Sequence, residues 1–259
     1  EHLDFYKDLN DIKKTYAQFV SNIESRGFLI LNKDDKNVLS LKKELEKIAG
    51  LKNVTVLWYS LASNYKVAIR KTIQIPGEHN ISNAIGAYTL SKILGVKNSA
   101  ALEAIADFRG TWRRFEYKGL FNGARVYDDY AHHPTEIKAT LAAARELVED
   151  GSKIWCVYQP HQEQRLKILF QDFINAFKNA NYLLLLPVYE VAGREKKDAK
   201  VTSEDLFAEI KNHKKNVYYL PRPDQLKEFF EGKVEKNDII IMMGAGNINE
   251  YTGLLVTNK

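Results

Sequence analysis

Residues 124–137 read ARVYDDYAHHPTEI, in which an apolar run is followed by a polar loop and then by a proline. The run at 124–128 predicts a buried strand, and Pro134 is a favourable first-turn residue for a helix. Residues 153–165, KIWCVYQPHQEQR, repeat the same order of strand, polar loop and helix. Successive units of this kind predict a parallel sheet with helical crossovers.

The alternation of strands and helices extends in both directions from these two stretches. Further strands are predicted at residues 27–31, 54–59, 66–75, 182–186, 217–220 and 238–243. Further helices are predicted at residues 8–22, 37–48, 80–94, 99–108, 202–211 and 224–230, and one more runs from the second quoted stretch to about residue 179. A boundary near residues 107–110 predicts two domains, residues 1–108 and 109–259, in an α/β protein.

Composition excludes several classes of protein. The 259 residues are 45% hydrophobic and 27% charged, which is ordinary for a globular protein and argues against long disorder. No apolar run is long enough to cross a bilayer, so we expect no membrane association. Cys156 is the only cysteine, which excludes an intramolecular disulfide and favours a reducing cytoplasm. Because the chain begins at Glu1, we expect it to be a piece of a longer polypeptide.

The charge balance is mildly basic, with 38 basic and 33 acidic residues and a net charge of +5. The lysines are interspersed with acids, as on a solvated helix face, and the densest basic group, residues 211–215, falls at a predicted helix end. We therefore expect no nucleic-acid partner.

Polar side chains follow both quoted strands where those strands end. Asp129, Tyr130 and His132 follow the first strand, and His161 and Arg165 follow the second. Ligands bind at the carboxyl ends of strands in an open parallel sheet, which favours a site here. Arg165 suits a carboxylate or a phosphate, because a guanidinium can grip either with two hydrogen bonds. Alternatively, one residue of the His132–His133 pair packs and the other caps the helix; a metal is disfavoured because adjacent side chains diverge.

Three other clusters are less specific. Asn80 and Asn83 share a helix face and could read the edge of a base, but spacing alone favours Asn80 as a helix cap and Asn83 as solvated. The arginines in residues 109–116 could clamp a phosphate or form salt bridges between domains. Residues 244–246, Gly-Ala-Gly, end the last strand and are weak evidence for a dinucleotide site.

Taken in order, these motifs resemble the Mur ligase family of peptidoglycan synthesis. The matching segments are residues 76–84 (PGEHNISNA), 113–116 (RRFE), 128–136 (DDYAHHPTE), 159–161 (QPH) with Arg165, and 244–246 (GAG). The resemblance implies that residues 1–108 are the C-terminal part of a central ATP-binding domain and that residues 109–259 are a Rossmann-like ligase domain. It makes His2 the position of a magnesium ligand. Nothing in the chain matches the family's P-loop, so we expect this chain alone to be inactive.

The resemblance also implies a reaction: ATP-dependent amide formation that joins L-alanine to UDP-N-acetylmuramate through an acyl phosphate, with Mg²⁺. By the same resemblance, Asn80 and Asn83 contact adenine, Asp129 contacts the ribose and Arg114 contacts the phosphates. Four residues surround the amino acid and the acyl phosphate: Tyr130, His132, His161 and Arg165.

One departure from the family pattern concerns the amino-acid acceptor. Related chains often have arginine directly after the Gln-Pro-His triplet, whereas this chain has Gln162. Loss of that charge predicts weaker binding of L-alanine, or glycine or L-serine as the acceptor. The alternatives are a ligase of recycled peptides from the same family and a non-catalytic nucleotide- or partner-binding module.

Overall fold

The computed structural model describes residues 5–190 and 201–256. The chain divides into two compact units, Glu1–Arg109 and Gly110–Lys259, each with its own hydrophobic cores.

The described part of the first unit is mainly helical. Its elements are α1 (Leu9–Val20), β1 (Phe28–Asn32), α2 (Lys36–Ser40), α3 (Lys42–Leu51), β2 (Thr55–Tyr59), α4 (Lys66–Thr72), α5 (Glu78–Ile93) and α6 (Asn98–Asp107). Strands β1 and β2 pair in parallel. One core lies among α1, α3 and these strands, and a second lies among α4, α5 and α6.

The strand predicted for residues 66–75 is wrong, because Lys66–Thr72 forms α4. Its β-branched residues suggested a strand. The burial pattern is helical instead: Ile69 is buried and Ile73, four residues later, packs against the same core. The segment forms a helix because its core-facing residues recur four positions apart, as on one face of a helix.

The prediction that Asn80 caps its helix is also wrong. Helix α5 begins at Glu78, and its N-cap is Gly77, at a φ of 100° that favours glycine. Asn80 lies in the first turn, where its Nδ2 donates to the carbonyl of Pro76 at 2.7 Å. Asn83 is exposed on the same helix, as expected.

The second unit is built around a six-stranded sheet. Its strands are β3 (Glu116–Phe121), β4 (Ala124–Asp129), β5 (Ile154–Tyr158), β6 (Tyr182–Leu185), β7 (Val217–Tyr219) and β8 (Ile239–Met243). Its helices are α7 (Pro134–Arg145), α8 (Glu163–Ile168), α9 (Phe170–Ile174), α10 (Ser203–Lys211), α11 (Leu226–Phe230) and α12 (Ile248–Leu255), with a 3₁₀ turn at Pro223–Gln225. The strand order is β3-β4-β8-β5-β6-β7, and only the β3–β4 pair is antiparallel. The predicted α/β fold with a mostly parallel sheet is confirmed.

The core of this unit covers both faces of the sheet. In β8, Ile239, Ile241 and Met243 pack on one face, while Ile240 and Met242 pack on the other. All five residues of this strand are fully buried. An uninterrupted apolar run is what a parallel strand buried on both faces requires.

Strand β3 and helix α12 were not predicted from sequence, and one helix was predicted where α8 and α9 are separate at Leu169. A signal for β3 was present. Asn122 and Gly123 lie between β3 and β4 with φ values of 50° and 84°, as in the two-residue turn that closes a β-hairpin. Within the described parts of the chain, no helix has both the length and the hydrophobicity to cross a membrane.

Candidate active site

The carboxyl ends of three neighbouring strands lie at one level of the sheet. Asp129 pairs with Met243, and Met243 pairs with Tyr158, so β4, β8 and β5 end together. Three loops therefore begin at the same edge: residues 130–133, 244–247 and 159–162. We call residues 244–247 the glycine loop.

Arg113 connects the glycine loop to β4. Its side chain is 4% exposed, and its Nη1 donates to the carbonyl of Gly246 at 3.0 Å. Its Nη2 donates to the carbonyl of Gly244, and its Nε lies 3.2 Å from Oδ2 of Asp128. The described contacts of Arg113 lie within the second unit, so this arginine fixes the loop instead of bridging two domains.

Burial dominates the electrostatics of the two adjacent aspartates. Desolvation raises the pKa of Asp128 to about 6, although the Arg113 guanidinium opposes the shift. Burial also raises the pKa of Asp129, whose carboxylate accepts from the backbone N–H groups of Phe115 and Ala131, each at 2.8 Å. The Thr140 hydroxyl also lies within hydrogen-bonding distance, at 3.2 Å. Asp129 thus holds the start of the 130–133 loop against the body of the unit.

A capping box at the start of α7 fixes the histidine pair. His133 is the N-cap, and its Nδ1 accepts from the backbone N–H of Thr135. Glu136 Oε2 accepts from the backbone N–H groups of His132 and His133, at 3.0 and 3.1 Å. The cap interpretation is therefore confirmed for His133.

The contacts of the His132 ring indicate its tautomer, that is, which ring nitrogen carries the proton. Its Nδ1 lies 2.9 Å from the carbonyl oxygen of Tyr130 and 3.4 Å from a carboxylate oxygen of Glu136. Both oxygens can only accept, so Nδ1 carries the proton. In the neutral ring, Nε2 is then the unprotonated nitrogen.

The contacts of the His161 ring indicate the opposite tautomer. Its Nδ1 lies 3.1 Å from Nη1 of Arg165, which can only donate, and the same nitrogen of Arg165 also contacts the carbonyl of His161 at 3.2 Å. Nδ1 of His161 is therefore the acceptor, and in the neutral ring Nε2 carries the proton.

The structure brings four of the predicted residues together, and we call them the strand-end cluster: Tyr130, His132, His161 and Arg165. The ring centroids of Tyr130 and His132 are 5.3 Å apart, and those of His132 and His161 are 6.1 Å apart. Their loops are not neighbours, because β8 lies between β4 and β5. The side chains of the two loops meet nonetheless, as the His132–His161 distance shows.

The other predicted site residues have different surroundings. Arg114 is half exposed, 3.8 Å from Glu136, with its guanidinium 5.4 Å from the centroid of the Tyr130 ring. Asn80 and Asn83 lie on α5 in the first unit. His2 lies outside the described residues. Among residues 5–190 and 201–256, no group of three or more histidines, cysteines or acids is arranged to hold a metal ion.

Sequence reasoning missed Tyr189. Its ring stacks on that of His161 at a centroid distance of 5.7 Å and an interplanar angle of 11°. It lies four residues beyond β6 and outside every motif, so no local signal marks it. Proximity to His161 arises only from the pairing of β5 with β6.

Gln162 has an unusual backbone conformation. Its φ of 68° is in the region that normally favours glycine. Its N–H donates to the carbonyl of Tyr189 at 3.1 Å, and this bond holds the residue directly after His161. The side chain of Gln162 therefore starts from a strained backbone position.

Two imidazoles and a guanidinium thus lie together at the carboxyl edge of a parallel sheet, which is where open α/β folds bind ligands. Comparison with known proteins identifies the class. A model of the Mur ligase glutamate ligase domain matches residues 113–246, and a model of the Mur ligase middle domain matches residues 1–91. The chain belongs to the Mur ligase family.

Individual relatives are more specific. A UDP-N-acetylmuramate–L-alanine ligase of Caldanaerobacter subterraneus is 38% identical over 96% of this chain and 57% of its own length. The enzyme of the same name from Clostridium novyi is 36% identical over 96% of this chain and 56% of its own length. The chain thus spans a little over half the length of these curated relatives. The crystal structure of a UDP-N-acetylmuramate-alanine ligase from Thermotoga maritima is similar in fold, with a TM-score of 0.64 at 20% identity, covering 92% of this chain and 60% of that one.

Proposed function

We propose that the protein joins L-alanine to UDP-N-acetylmuramate, with ATP as the energy source, in the synthesis of peptidoglycan precursors. The observation that carries this proposal is the strand-end cluster, which combines a carboxylate-binding arginine with two histidines of opposite tautomer. The names of the curated relatives support the choice of substrates. A cytoplasmic location follows for an enzyme that uses ATP and a nucleotide sugar.

The reaction has two steps on the sugar-linked carboxylate. One carboxylate oxygen attacks the γ-phosphorus of ATP, and ADP leaves. The amine of L-alanine then attacks the acyl carbon of the resulting acyl phosphate, and inorganic phosphate leaves. Activation is needed because a carboxylate is a poor electrophile until one of its oxygens becomes a good leaving group.

The strand-end cluster would act in the second step. Arg165 binds the carboxylate of L-alanine through charge-assisted hydrogen bonds. One of the two histidines assists loss of a proton from the ammonium group, which frees the attacking lone pair. His161 lies beside the acyl phosphate that the amine attacks. Tyr130 closes the side of the site beside His132.

Roles in nucleotide binding are proposed for Asn80, Asn83, Arg114 and Asp129. Asn80 and Asn83 are three residues apart on α5 and present amides that can pair with the edge of adenine. Arg114 is exposed enough to contact phosphate oxygens, and its interaction with Glu136 is long. Asp129 is proposed for the ribose, although its carboxylate already accepts from within the unit.

Mg²⁺ is proposed as the partner of the ATP phosphates, with His2 as the ligand that the family resemblance implies. Residues 5–190 and 201–256 offer no cluster of three ligands, and His2, the proposed ligand, lies outside these ranges. Bound Mg²⁺ would offset the negative charge of the phosphates, and none of the steps proposed for the strand-end cluster depends on it.

Each of the two units is proposed to be one domain of the ligase. We propose that residues 1–108 belong to the central ATP-binding domain, because they carry the Asn80–Asn83 pair. Residues 109–259 form the Rossmann-like domain that binds the amino acid, because they carry the strand-end cluster.

The test is an acceptor panel. The product of the complete gene is assayed for phosphate release with ATP, Mg²⁺ and UDP-N-acetylmuramate, against L-alanine, glycine, L-serine and the tripeptide recycled from peptidoglycan. We expect release that depends on L-alanine, with a raised KM because Gln162 lacks a positive charge. Preference for the tripeptide would instead make the protein a recycling ligase. Absence of acceptor-dependent release would contradict the ligase proposal.

A further inference from the structure

Tyr189 contacts two of the loops that build the candidate site, and it follows a third strand. Its N–H donates to the carbonyl of Pro160 at 2.7 Å, and its carbonyl accepts from Gln162 at 3.1 Å, so its backbone brackets His161. A Cβ atom on Gly246 would collide with Tyr189, so this tyrosine also lies against the glycine loop. The residue thus links the ends of β5, β6 and β8.

The ring of Tyr189 fixes one face of His161. The two rings are nearly parallel, at 11°, with their centroids 5.7 Å apart. Arg165 contacts the imidazole at its Nδ1 edge. A face contact and an edge contact together constrain the plane of the imidazole ring.

Gly246 is needed for the same arrangement. A methyl group at this position would overlap Cβ and Cγ of Tyr189 and approach Oε1 of Gln159 to 2.7 Å. Because Gln159 is itself 4% exposed, the tyrosine ring is the part that can move away. A side chain at residue 246 should therefore displace Tyr189 while no member of the strand-end cluster is itself substituted.

We propose that Tyr189 is a positioning residue that aims His161 at the acyl centre, and that Gly246 is glycine so that this ring can lie there. The proposal rests on the proposed function for its chemical consequence, but its geometric part does not. Tyr189 acts through His161 and need not touch the substrate.

The geometric part is tested on the 259-residue chain without any substrate. The imidazole NMR signals of His161 are assigned with His161→Gln and compared among Tyr189→Phe, Tyr189→Leu and Gly246→Ala. Tyr189→Phe keeps the aromatic face and should leave the environment of His161 close to that of the wild type. Tyr189→Leu and Gly246→Ala should move the His161 signals in a similar way.

The matched control is Gly253→Ala. Gly253 lies in α12, and an added Cβ there meets no atom within 4 Å. This variant should leave the His161 signals in place. Thermal unfolding of every variant separates a local displacement from a loss of folding.

The chemical part uses the product of the complete gene. Removal of one stacked pair is expected to lower kcat with saturating L-alanine by about 3- to 10-fold in Tyr189→Leu and Gly246→Ala, with little change in Tyr189→Phe. The KM for L-alanine should change less than kcat, because Arg165 still holds the carboxylate.

Two results would overturn the proposal. One is an unchanged His161 spectrum in both Tyr189→Leu and Gly246→Ala. The other is an equal loss of kcat in Tyr189→Phe, which would assign the role to the hydroxyl instead of the ring. If the Tyr189→Leu and Gly246→Ala variants show the expected His161 shifts but the wild-type enzyme shows no turnover with L-alanine, the proposed function fails while the geometric role of Tyr189 stands.

Discussion

The Arg113–Asp128 ion pair is the interaction on which the geometry of the candidate site depends most. Both side chains are almost fully buried, and Arg113 also donates to two carbonyls of the glycine loop. Loss of one member of a buried pair leaves the other charge in a medium of low dielectric, which typically costs about 3–5 kcal/mol. Exposed pairs such as Arg222–Asp224 contribute far less.

The pair predicts a particular pH dependence. The pKa of Asp128 is about 6 in the folded chain, against an ordinary value of 3.8. Between these two values the folded chain holds a proton that the unfolded chain releases, so the contribution of this carboxyl group to stability falls as pH rises from about 4 to 6. In Asp128→Asn, the free energy of unfolding measured with urea should be lower overall and should change less over that range.

The control for this prediction is Asp224→Asn. Asp224 is exposed, and its hydrogen bond with Arg222 holds the pKa of its carboxyl below 3.8, outside the relevant range. Its variant should keep the slope of the wild type. An equally steep slope in Asp128→Asn would show that another group titrates there.

The residues of the candidate site differ in how well their positions can be predicted from sequence. Tyr130, His132, His161 and Arg165 could be chosen because each follows a recognisable strand. Tyr189 could not, because its contact with His161 is made by strand pairing. The burial of Arg113 was equally hidden, since its partner carbonyls lie more than 130 residues away.

At the scale of elements, the start of α7 is the feature that orders the histidine loop. Glu136 accepts from two backbone N–H groups and completes a capping box with His133. Glu136→Ala should lower the free energy of unfolding by about 1–2 kcal/mol, as for the loss of a helix cap. It should also lower kcat, because His132 is no longer held.

A second capping box in the same unit provides the matched control. Thr202 and Asp205 cap α10 in the same manner. Thr202→Ala should lower the free energy of unfolding, measured with urea, by a similar amount. Its kcat should equal that of the wild type. Equal kinetic effects in the two variants would mean that the loss in Glu136→Ala comes from stability alone.

The elements that sequence predicted well are those whose surroundings are uniform. Strand β8 is buried on both faces, so its apolar run is unambiguous. Helix α4 was mistaken for a strand because β-branched residues occur on its single buried face. Strand β3 is an exposed edge strand with an interior glycine, and both features weaken the alternation that marks a strand.

At the scale of the molecule, the order of the strands determines which loops lie next to each other at the candidate site. The placement of β8 between β4 and β5 puts the glycine loop between two histidine-bearing loops. Sequence predicted that both loops share an edge but not which strand separates them, because pairing of distant strands is not a local property. The order also explains why small residues are needed at 244 and 246.

The central claim is that the strand-end cluster binds the amino-acid acceptor. It is tested most directly by the KM for L-alanine in Arg165→Ala, with Arg222→Ala as an exposed-arginine control, in the product of the complete gene. The loss of charge-assisted hydrogen bonds predicts a fall in kcat/KM of about 10- to 100-fold, carried mainly by KM, in Arg165→Ala alone. An unchanged KM for L-alanine in Arg165→Ala would contradict the assignment of this cluster.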